Sequence, residues 1–420
     1  MSAWLLVLLF VLMFAGIPIA VSLAVTSTIF LELTTHISLV ILPQRLFTTV
    51  DSFPLMAVPF FVLAGALMEA GGISDRLVSF IESMLGHVTG GLTIVVIVTS
   101  AFFAAISGSS SATIAAIGGI LIPAMIAQGY NRNYASAVQC CSGQLGVIIP
   151  PSIPMVLYGV ATETSIGDLF KAGILPGIFM ALCLILLSFL ICHKKGYKGV
   201  QRRSWGQRWK AFKKALLALL MPVLVLGGIY GGLFTPTEAA AVAVAYAFLI
   251  GKFVYKKLDG KTLMKALTES AATTAILMFL IACAGVFAWL LGRLNITRDV
   301  ALFFTSISDN KYVFLLLVNL LLLVAGMFMD AGPAIMILAP LLAPIATQYD
   351  VNLVHFGIIM VVNLAVGLCT PPVGVNLFLS CQIGKITMTD ILGSVWPYLF
   401  VLFVVVLLVT FVPALSLALL

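Results

Sequence analysis

Gly146-Val147-Ile148-Ile149-Pro150-Pro151 and Gly367-Leu368-Cys369-Thr370-Pro371-Pro372 are two copies of one pattern, a glycine followed by an apolar turn and a proline pair, set 221 residues apart. The same offset carries Pro123 onto Pro344 and Pro176 onto Pro397, and it sets Ser109-Ser110-Ser111 against Asp330-Ala331-Gly332. Nearer the start, Pro18 pairs with Pro236 at an offset of 218. Proline has no N–H and excludes the helical conformation from the residue before it, so a proline pair inside an apolar run unwinds a helix. A chain that repeats such breaks at one spacing is built from two related halves, here about 1–192 and 213–420.

The surroundings of both copies are apolar. Of 420 residues, 62% are hydrophobic and 9% charged, against about 25% charged in a soluble domain. No water-soluble fold hides that much apolar surface. Lipid is the solvent, and the fold class is an all-α polytopic membrane protein. The length allows about ten to a dozen spans of roughly 20 residues each. Met1-Ser2-Ala3-Trp4 runs into an apolar segment without a basic n-region, and Ala15-Gly16-Ile17-Pro18 is a poor cleavage site. The first segment therefore reads as a retained span, not a signal peptide. The seven cysteines, an odd number, have no metal-ligand spacing and read as packing thiols.

Charge sets the orientation. Residues 193–214 hold nine Lys/Arg and no acid, and residues 252–265 hold five Lys and one Asp. The positive-inside rule puts both segments in the cytoplasm. Basic loops between spans are topology signals, so no nucleic-acid partner is expected. Segment 215–251 must then leave and return. It breaks at Thr235-Pro236-Thr237-Glu238, where Thr235 as N-cap and Glu238 three residues on form a capping box. Tracing back from His193, the broken helix 134–165 starts inside. Tracing forward, its counterpart 354–383 starts outside. The halves are inverted, joined by a basic linker at 193–212, and both termini lie outside. Inverted repeats with broken helices are a recurrent build of secondary transporters.

Each half carries a second interruption, a polar tip between apolar arms of about 15 residues, suited to a re-entrant hairpin. The tips are Ser107-Gly108-Ser109-Ser110-Ser111-Ala112-Thr113 and Met329-Asp330-Ala331-Gly332-Pro333. Unpaired backbone at membrane depth survives only where protein or a wet cavity satisfies it. Two tips and two breaks therefore imply a shared polar cavity, and Gly146, Gly367, Thr370 and Asn376 are expected to face it. Asp330 is the acid deep in an apolar stretch, which marks a functional candidate. Carbonyls, hydroxyls and a carboxylate suit Na⁺, and helix N-termini suit an anion.

These segments, with Pro54-Leu55-Met56-Ala57-Val58-Pro59-Phe60-Phe61, Phe234-Thr235-Pro236-Thr237-Glu238-Ala239-Ala240 and Cys369-Thr370-Pro371-Pro372-Val373-Gly374-Val375-Asn376, make the chain resemble the large membrane (M, DctM/SiaM-like) subunit of the tripartite ATP-independent periplasmic (TRAP) transporters. The resemblance covers essentially the whole chain. It implies an elevator-type secondary transporter with scaffold and transport domains, the transport domain being about 90–170 plus 312–385, in the bacterial inner membrane with both termini periplasmic. It implies Na⁺-driven uptake of an organic acid anion such as a C4-dicarboxylate or sialic acid. It implies two partners as well, a small four-helix (Q) subunit, separate because none is fused here, and a periplasmic substrate-binding protein (P). Candidate Na⁺ residues are Ser109, Ser110, Ser111, Gly146, Asp330, Gly332, Gly367 and Thr370. Candidate substrate residues are Thr113, Pro150, Pro151, Ser152, Pro371, Pro372 and Asn376. No other metal is expected.

Two other classes compete. A stand-alone Na⁺- or H⁺-coupled symporter or antiporter would lack neighbouring genes for the partners. An intramembrane enzyme using Ser107-Gly108-Ser109 would need a membrane-embedded base, whereas His36, His87, His193 and His355 fall in loops or at helix ends and no H-E-x-x-H motif occurs. The chain is not expected to be an enzyme.

Overall fold

The computed structural model describes residues 2–34 and 37–420, and the regular elements among them are all helices. His36 lies outside the described residues. The first ten helices are α1 (Ser2–Phe14), α2 (Ile19–Thr34), α3 (Ile41–Val50), α4 (Ala57–Ala70), α5 (Ile73–Leu85), α6 (Gly91–Ser107), α7 (Ser110–Ala127), α8 (Arg132–Ile148), α9 (Ile153–Thr162) and α10 (Ile166–Lys195). After the basic linker come α11 (Trp205–Tyr230), α12 (Pro236–Val254), α13 (Gly260–Arg293), α14 (Ile296–Ile307), α15 (Lys311–Phe328), α16 (Ala331–Gln348), α17 (Leu353–Gly367), α18 (Val375–Gly384), α19 (Met388–Phe411) and α20 (Ala414–Leu417).

Among the described residues nine helices are long and apolar enough to cross a membrane, or ten if α8 and α9, bent by 41° at the first proline pair, form one broken span. This sits at the low end of the expected count. The reason is length: α2, α6, α17 and α18 are apolar but only 10–17 residues long. The capping box is present as read. Thr235 Oγ1 accepts from Glu238 N, and Glu238 Oε2 accepts from Thr235 N at 2.8 Å.

The helices pack as two bodies. In one, α4 lies against α12 and α13, and α13 also covers α2 and α3. Small residues allow the approach: Ala239, Ala240, Ala243 and Ala247 of α12 are buried, and a methyl on Gly71 would sit 3.3 Å from Gly251 Cα. Where lipid removes the hydrophobic drive between helices, such close backbone packing holds them together. In the other body α6, α8, α9 and α15 to α18 pack together, with α10 and α19 alongside. Buried polar pairs fasten α10 and α19 to it. Tyr398 Oη (α19) donates to Tyr134 Oη (α8) at 3.1 Å, and Ser188 Oγ (α10) lies 2.8 Å from Tyr398 Oη. Asn319 (α15) hydrogen-bonds Asn363 (α17), and Asn319 Nδ2 donates to Thr410 Oγ1 (α19) at 3.1 Å.

Two amphipathic helices link the bodies. α5 runs from α4 to α6 and buries Ile73, Leu77, Val78 and Ile81, the stripe of a helix with one wet face. α14 runs from α13 to α15 and buries Ile296, Ala301 and Phe304.

The pair α6/α7 has its ends beside the basic linker, where Gly90 N donates to Tyr197 O and Asn131 N to Tyr197 Oη, each at 3.1 Å. The pair α15/α16 has its ends at the opposite face, with Thr347 and Pro344 beside the α9–α10 turn at Glu163.

Glycine sets how closely the α15/α16 pair meets α17. A methyl on Gly326 would fall 2.8 Å from Leu364 O and 3.0 Å from Gly367 Cα, both backbone atoms that cannot turn aside. Gly326→Ala should destabilise the chain by about 1–3 kcal/mol, the range for overpacking, seen as a lowered melting temperature in detergent. Gly393→Ala, with nothing within 4 Å of the added carbon, should leave the melting temperature unchanged or raise it. Equal melting of both variants would show that this contact is not tight.

Candidate functional site

The tips of both helix pairs end at one cavity of about 400 Å³. Ser107 to Ala112 line it from the first tip, Asp330 and Gly332 from the second, and Val147, Ile153, Pro154 and Leu157 from the flanks of the first proline break. Helices of the other body close it: Val62, Gly65, Ala66 and Glu69 from α4, and Glu269, Ser270, Thr273 and Leu277 from α13. The cavity therefore lies between the two bodies.

Each tip ends a helix and starts another toward the cavity. At the first, Gly108 takes a left-handed φ of 61° as the end of α6, and extended Ser109 caps α7, its Oγ accepting from Ala112 N at 3.4 Å. At the second, Asp330 caps α16, its Oδ1 accepting from Ala331 N at 2.8 Å. Asp330 is exposed to the cavity although it sits deep within the fold. Two capped helix N-termini thus converge on one space, each presenting the end of a helix that favours an anion.

The breaks lie behind the tips rather than on the cavity wall. Both proline pairs, Pro150-Pro151 and Pro371-Pro372, are joined by cis bonds. Ile153 N donates to Gly108 O at 3.2 Å, and Gly374 N donates to Met327 O at 3.1 Å. A side chain at Gly146 would collide with Ser109 O and Thr113 Oγ1, and one at Gly367 would collide with Gly326. The expectation that Gly146, Gly367, Thr370 and Asn376 face the shared cavity is therefore corrected. None of the four is among the residues that line it, and Thr370 N and Asn376 N donate within their own segment, to Gly367 O at 2.9 Å and Leu368 O at 3.1 Å.

Ser109, Ser110, Ser111, Asp330 and Gly332 are brought together on the cavity. Thr113 is buried behind the first tip, where its Oγ1 donates to Ser109 O at 2.8 Å and lies 3.2 Å from Ser107 Oγ. Pro150, Pro151 and Ser152 are buried, and Ser152 caps α9. Pro372 is exposed and Pro371 half-buried, away from this cavity. Thr370 Oγ1 donates to Val366 O at 2.8 Å. Asn376 is buried, with its Oδ1 lacking a hydrogen-bond partner among the described residues.

Two oxygen clusters result. One holds Ser107 Oγ, Ser109 O and Thr113 Oγ1 behind the first tip. The other holds the carbonyls of Leu368 and Thr370, each 3.0 Å from where a methyl on Gly374 would lie, and Asn376, whose N donates to Leu368 O at 3.1 Å, follows on the same segment. Hard oxygens crowded in this way suit an alkali cation.

Sequence reasoning missed three features. Glu69 and Glu269 line the cavity from α4 and α13, beside the basic loop that Gly71 and Gly72 touch through Gly251 and Lys257. Their signal was an acid near the end of an apolar helix. Cys140, Cys141 and Cys369 bring their sulfurs within 4.8 Å of one another, a juxtaposition their spacing does not announce. His355 is buried at the start of α17, its Nδ1 2.6 Å from Ser416 Oγ and its Nε2 3.2 Å from Thr410 O, and it is not among the cavity residues.

The sequence profile described as "Tripartite ATP-independent periplasmic transporter, DctM component" matches residues 6–415. The C4-dicarboxylate TRAP transporter large permease protein DctM of Rhodobacter capsulatus is 41% identical over 426 residues, covering 98% of this chain and 97% of that protein. The isethionate TRAP transporter permease protein DctMQ of Oleidesulfovibrio alaskensis is 42% identical over 400 residues, which is 95% of this chain and 63% of the longer protein. The crystal structure of the YdaH transporter of Alcanivorax borkumensis shares the fold, with a TM-score of 0.60 and 16% identity over 93% of this chain and 95% of that one. These relatives are transporter permeases and not enzymes. A profile match over nearly the full length, with relatives near 40% identity across as much of the chain, places it in the DctM family of TRAP transporter large permeases.

Proposed function

We propose that this chain is the large permease subunit of a Na⁺-coupled system that takes up an organic acid anion, a C4-dicarboxylate, sialic acid or similar carboxylate, delivered by a periplasmic binding protein. The observation that carries the reading is the cavity where the N-termini of α7 and α16 converge. Those amides and the serine hydroxyls would hold a carboxylate. The oxygen clusters behind the tips would each hold one Na⁺, so Thr113 and Asn376 are moved from substrate to cation binding and the hydroxyls of Ser109, Ser110 and Ser111 from cation to substrate, with Gly146 and Gly367 as the close contacts that shape the two pockets.

The transport step we infer is a rigid shift of the hairpin body against the other. The two pairs α6/α7 and α15/α16 are read as re-entrant hairpins entering from opposite faces, which is what two inverted repeats require. The moving unit is about 90–170 plus 312–385, and the packing of α10 and α19 argues that they travel with it. α5 and α14 are the arms that let it move. Glu69 and Glu269, near the basic loop, mark the open end of the cavity as the cytoplasmic one.

The partners are a small Q-type membrane subunit and the periplasmic binding protein, in the bacterial inner membrane. The isethionate relative, longer than this chain and named for both M and Q, supports a Q partner. Uptake by the reconstituted complex should need both Na⁺ and the soluble protein. Uptake unchanged in K⁺ buffer, or without the binding protein, would refute the coupling.

Orientation has its own test. Lys198→Cys and Lys261→Cys should be labelled by impermeant thiol reagents from the cytoplasmic side only, and cysteines placed at the two termini from the periplasmic side only. The reverse pattern would invert the assignment.

Asp330 separates charge from capping. Asp330→Ala removes both. Asp330→Asn keeps an oxygen for Ala331 N. If the carboxylate serves Na⁺, both variants lose Na⁺-dependent uptake at least tenfold, with Asp330→Asn melting like the unmodified protein and Asp330→Ala, which loses the cap, destabilised by about 1 kcal/mol. Normal uptake by Asp330→Asn would make the residue a helix cap alone. Single Ser109→Ala or Ser111→Ala changes should cost about 1 kcal/mol, roughly fivefold in substrate affinity, because water replaces a hydroxyl.

A further inference from the structure

A second, larger cavity of about 1170 Å³ opens on the basic face, between α5, the linker after Val200, the first half of α11 and the end of α12. Seven cations line it against two acids, Asp75 and Glu82. Arg203 is engaged, its Nη2 3.2 Å from Glu82 Oε1. Arg76 is engaged too, its guanidinium 3.5 Å over the Tyr255 ring and its Nη1 donating to Gly72 O. Arg202, Lys210, Lys214 and Lys257 have no side-chain hydrogen bond or ion pair among the described residues. Cations gathered round one hollow repel one another, and an anion among them would relieve that repulsion.

Its level in the membrane says which anion. Trp205 and Trp209, on the first turns of α11, are 76% and 58% exposed, and Phe253, next to the lining residue Val254, is 61% exposed. Exposed tryptophans at the end of a span mark the headgroup layer. The lining continues from the cations to the apolar side chains of Leu217 and Val254. A polar mouth with an apolar end fits a molecule carrying a phosphate on a hydrocarbon tail, not a free ion.

We propose that this cavity binds the phosphodiester headgroup of an anionic phospholipid of the cytoplasmic leaflet. Lys210 and Lys214 lie on one face of α11, and Arg202 offers a planar fork to two phosphate oxygens. The bound headgroup ties the wet face of α5, the arm between the two bodies, to α11. The inference shares with the proposed function only the assignment of the basic face to the cytoplasm, and needs neither Na⁺ coupling nor a particular substrate.

The test is native mass spectrometry of the full chain in neutral detergent, titrated with phosphatidylglycerol, cardiolipin or phosphatidylcholine. The two anionic lipids should bind and phosphatidylcholine should not, and inorganic phosphate at millimolar concentration should fail to displace them. Each cation removed should weaken binding about fivefold, so the triple variant Arg202→Gln/Lys210→Gln/Lys214→Gln should lose on the order of a hundredfold. Single Arg202→Gln, with a smaller loss, covers the case in which the triple variant does not fold. Equal binding of phosphatidylcholine, displacement by free phosphate, or full anionic-lipid binding by the single and triple variants would each overturn the proposal. So would anionic lipid failing to bind where an acidic polypeptide binds.

Discussion

In hydrocarbon no water is at hand to complete a hydrogen bond, so every backbone N–H and C=O must find its partner within the protein. This fold interrupts its helices at two tips and two proline pairs. What makes the interruptions tolerable is that each break lies against a tip. The amides of Ile153 and Gly374, freed by the proline pairs, donate to Gly108 O and Met327 O. Those bonds need backbones to touch. Gly146 against Ser109 and Gly326 against Gly367 provide the room that any side chain would fill.

The cavity follows from that arrangement. The amides at the starts of α7 and α16 are not used by the breaks; Ala112 N and Ala331 N are held by the caps Ser109 and Asp330, beside the cavity. Carbonyls and hydroxyls displaced from helical pairing collect behind the tips instead. One set of interruptions therefore yields donors on the cavity side and acceptors on the hidden side, which suits an anion in front and cations behind. The wall facing the tips comes from α4 and α13, helices tied to the hairpin body chiefly by contact and by the amphipathic links α5 and α14.

Features set by local chemistry were legible in the sequence. The Thr235–Glu238 box and the places where α8 and α17 stop depend on residues within a turn or two of one another. The duplicated proline pairs made the pairing of distant segments legible as well. Tertiary proximity was not. Nothing near Gly367 announces that Gly326 lies against it, and Cys369 is 229 residues from the Cys140 carbonyl it contacts. Glu69 and Glu269 reach the cavity from helices with no interruption to draw notice. The stripe of Ile73, Leu77, Val78 and Ile81 did carry a helical period, and reading it would have located α5.

The two tips are not electrically alike. The first is capped by a neutral hydroxyl, and the second by a carboxylate at Asp330. An ionised group carried through the full membrane field exchanges about 2.3 kcal/mol with it for every 100 mV. If the proposed rigid shift carries that carboxylate uncompensated, the resting potential would push it in one direction, and a cation bound behind the tip would cancel the push. Under that shift, the asymmetry between serine and aspartate would make the membrane voltage a force on one leg of the movement and not on the other.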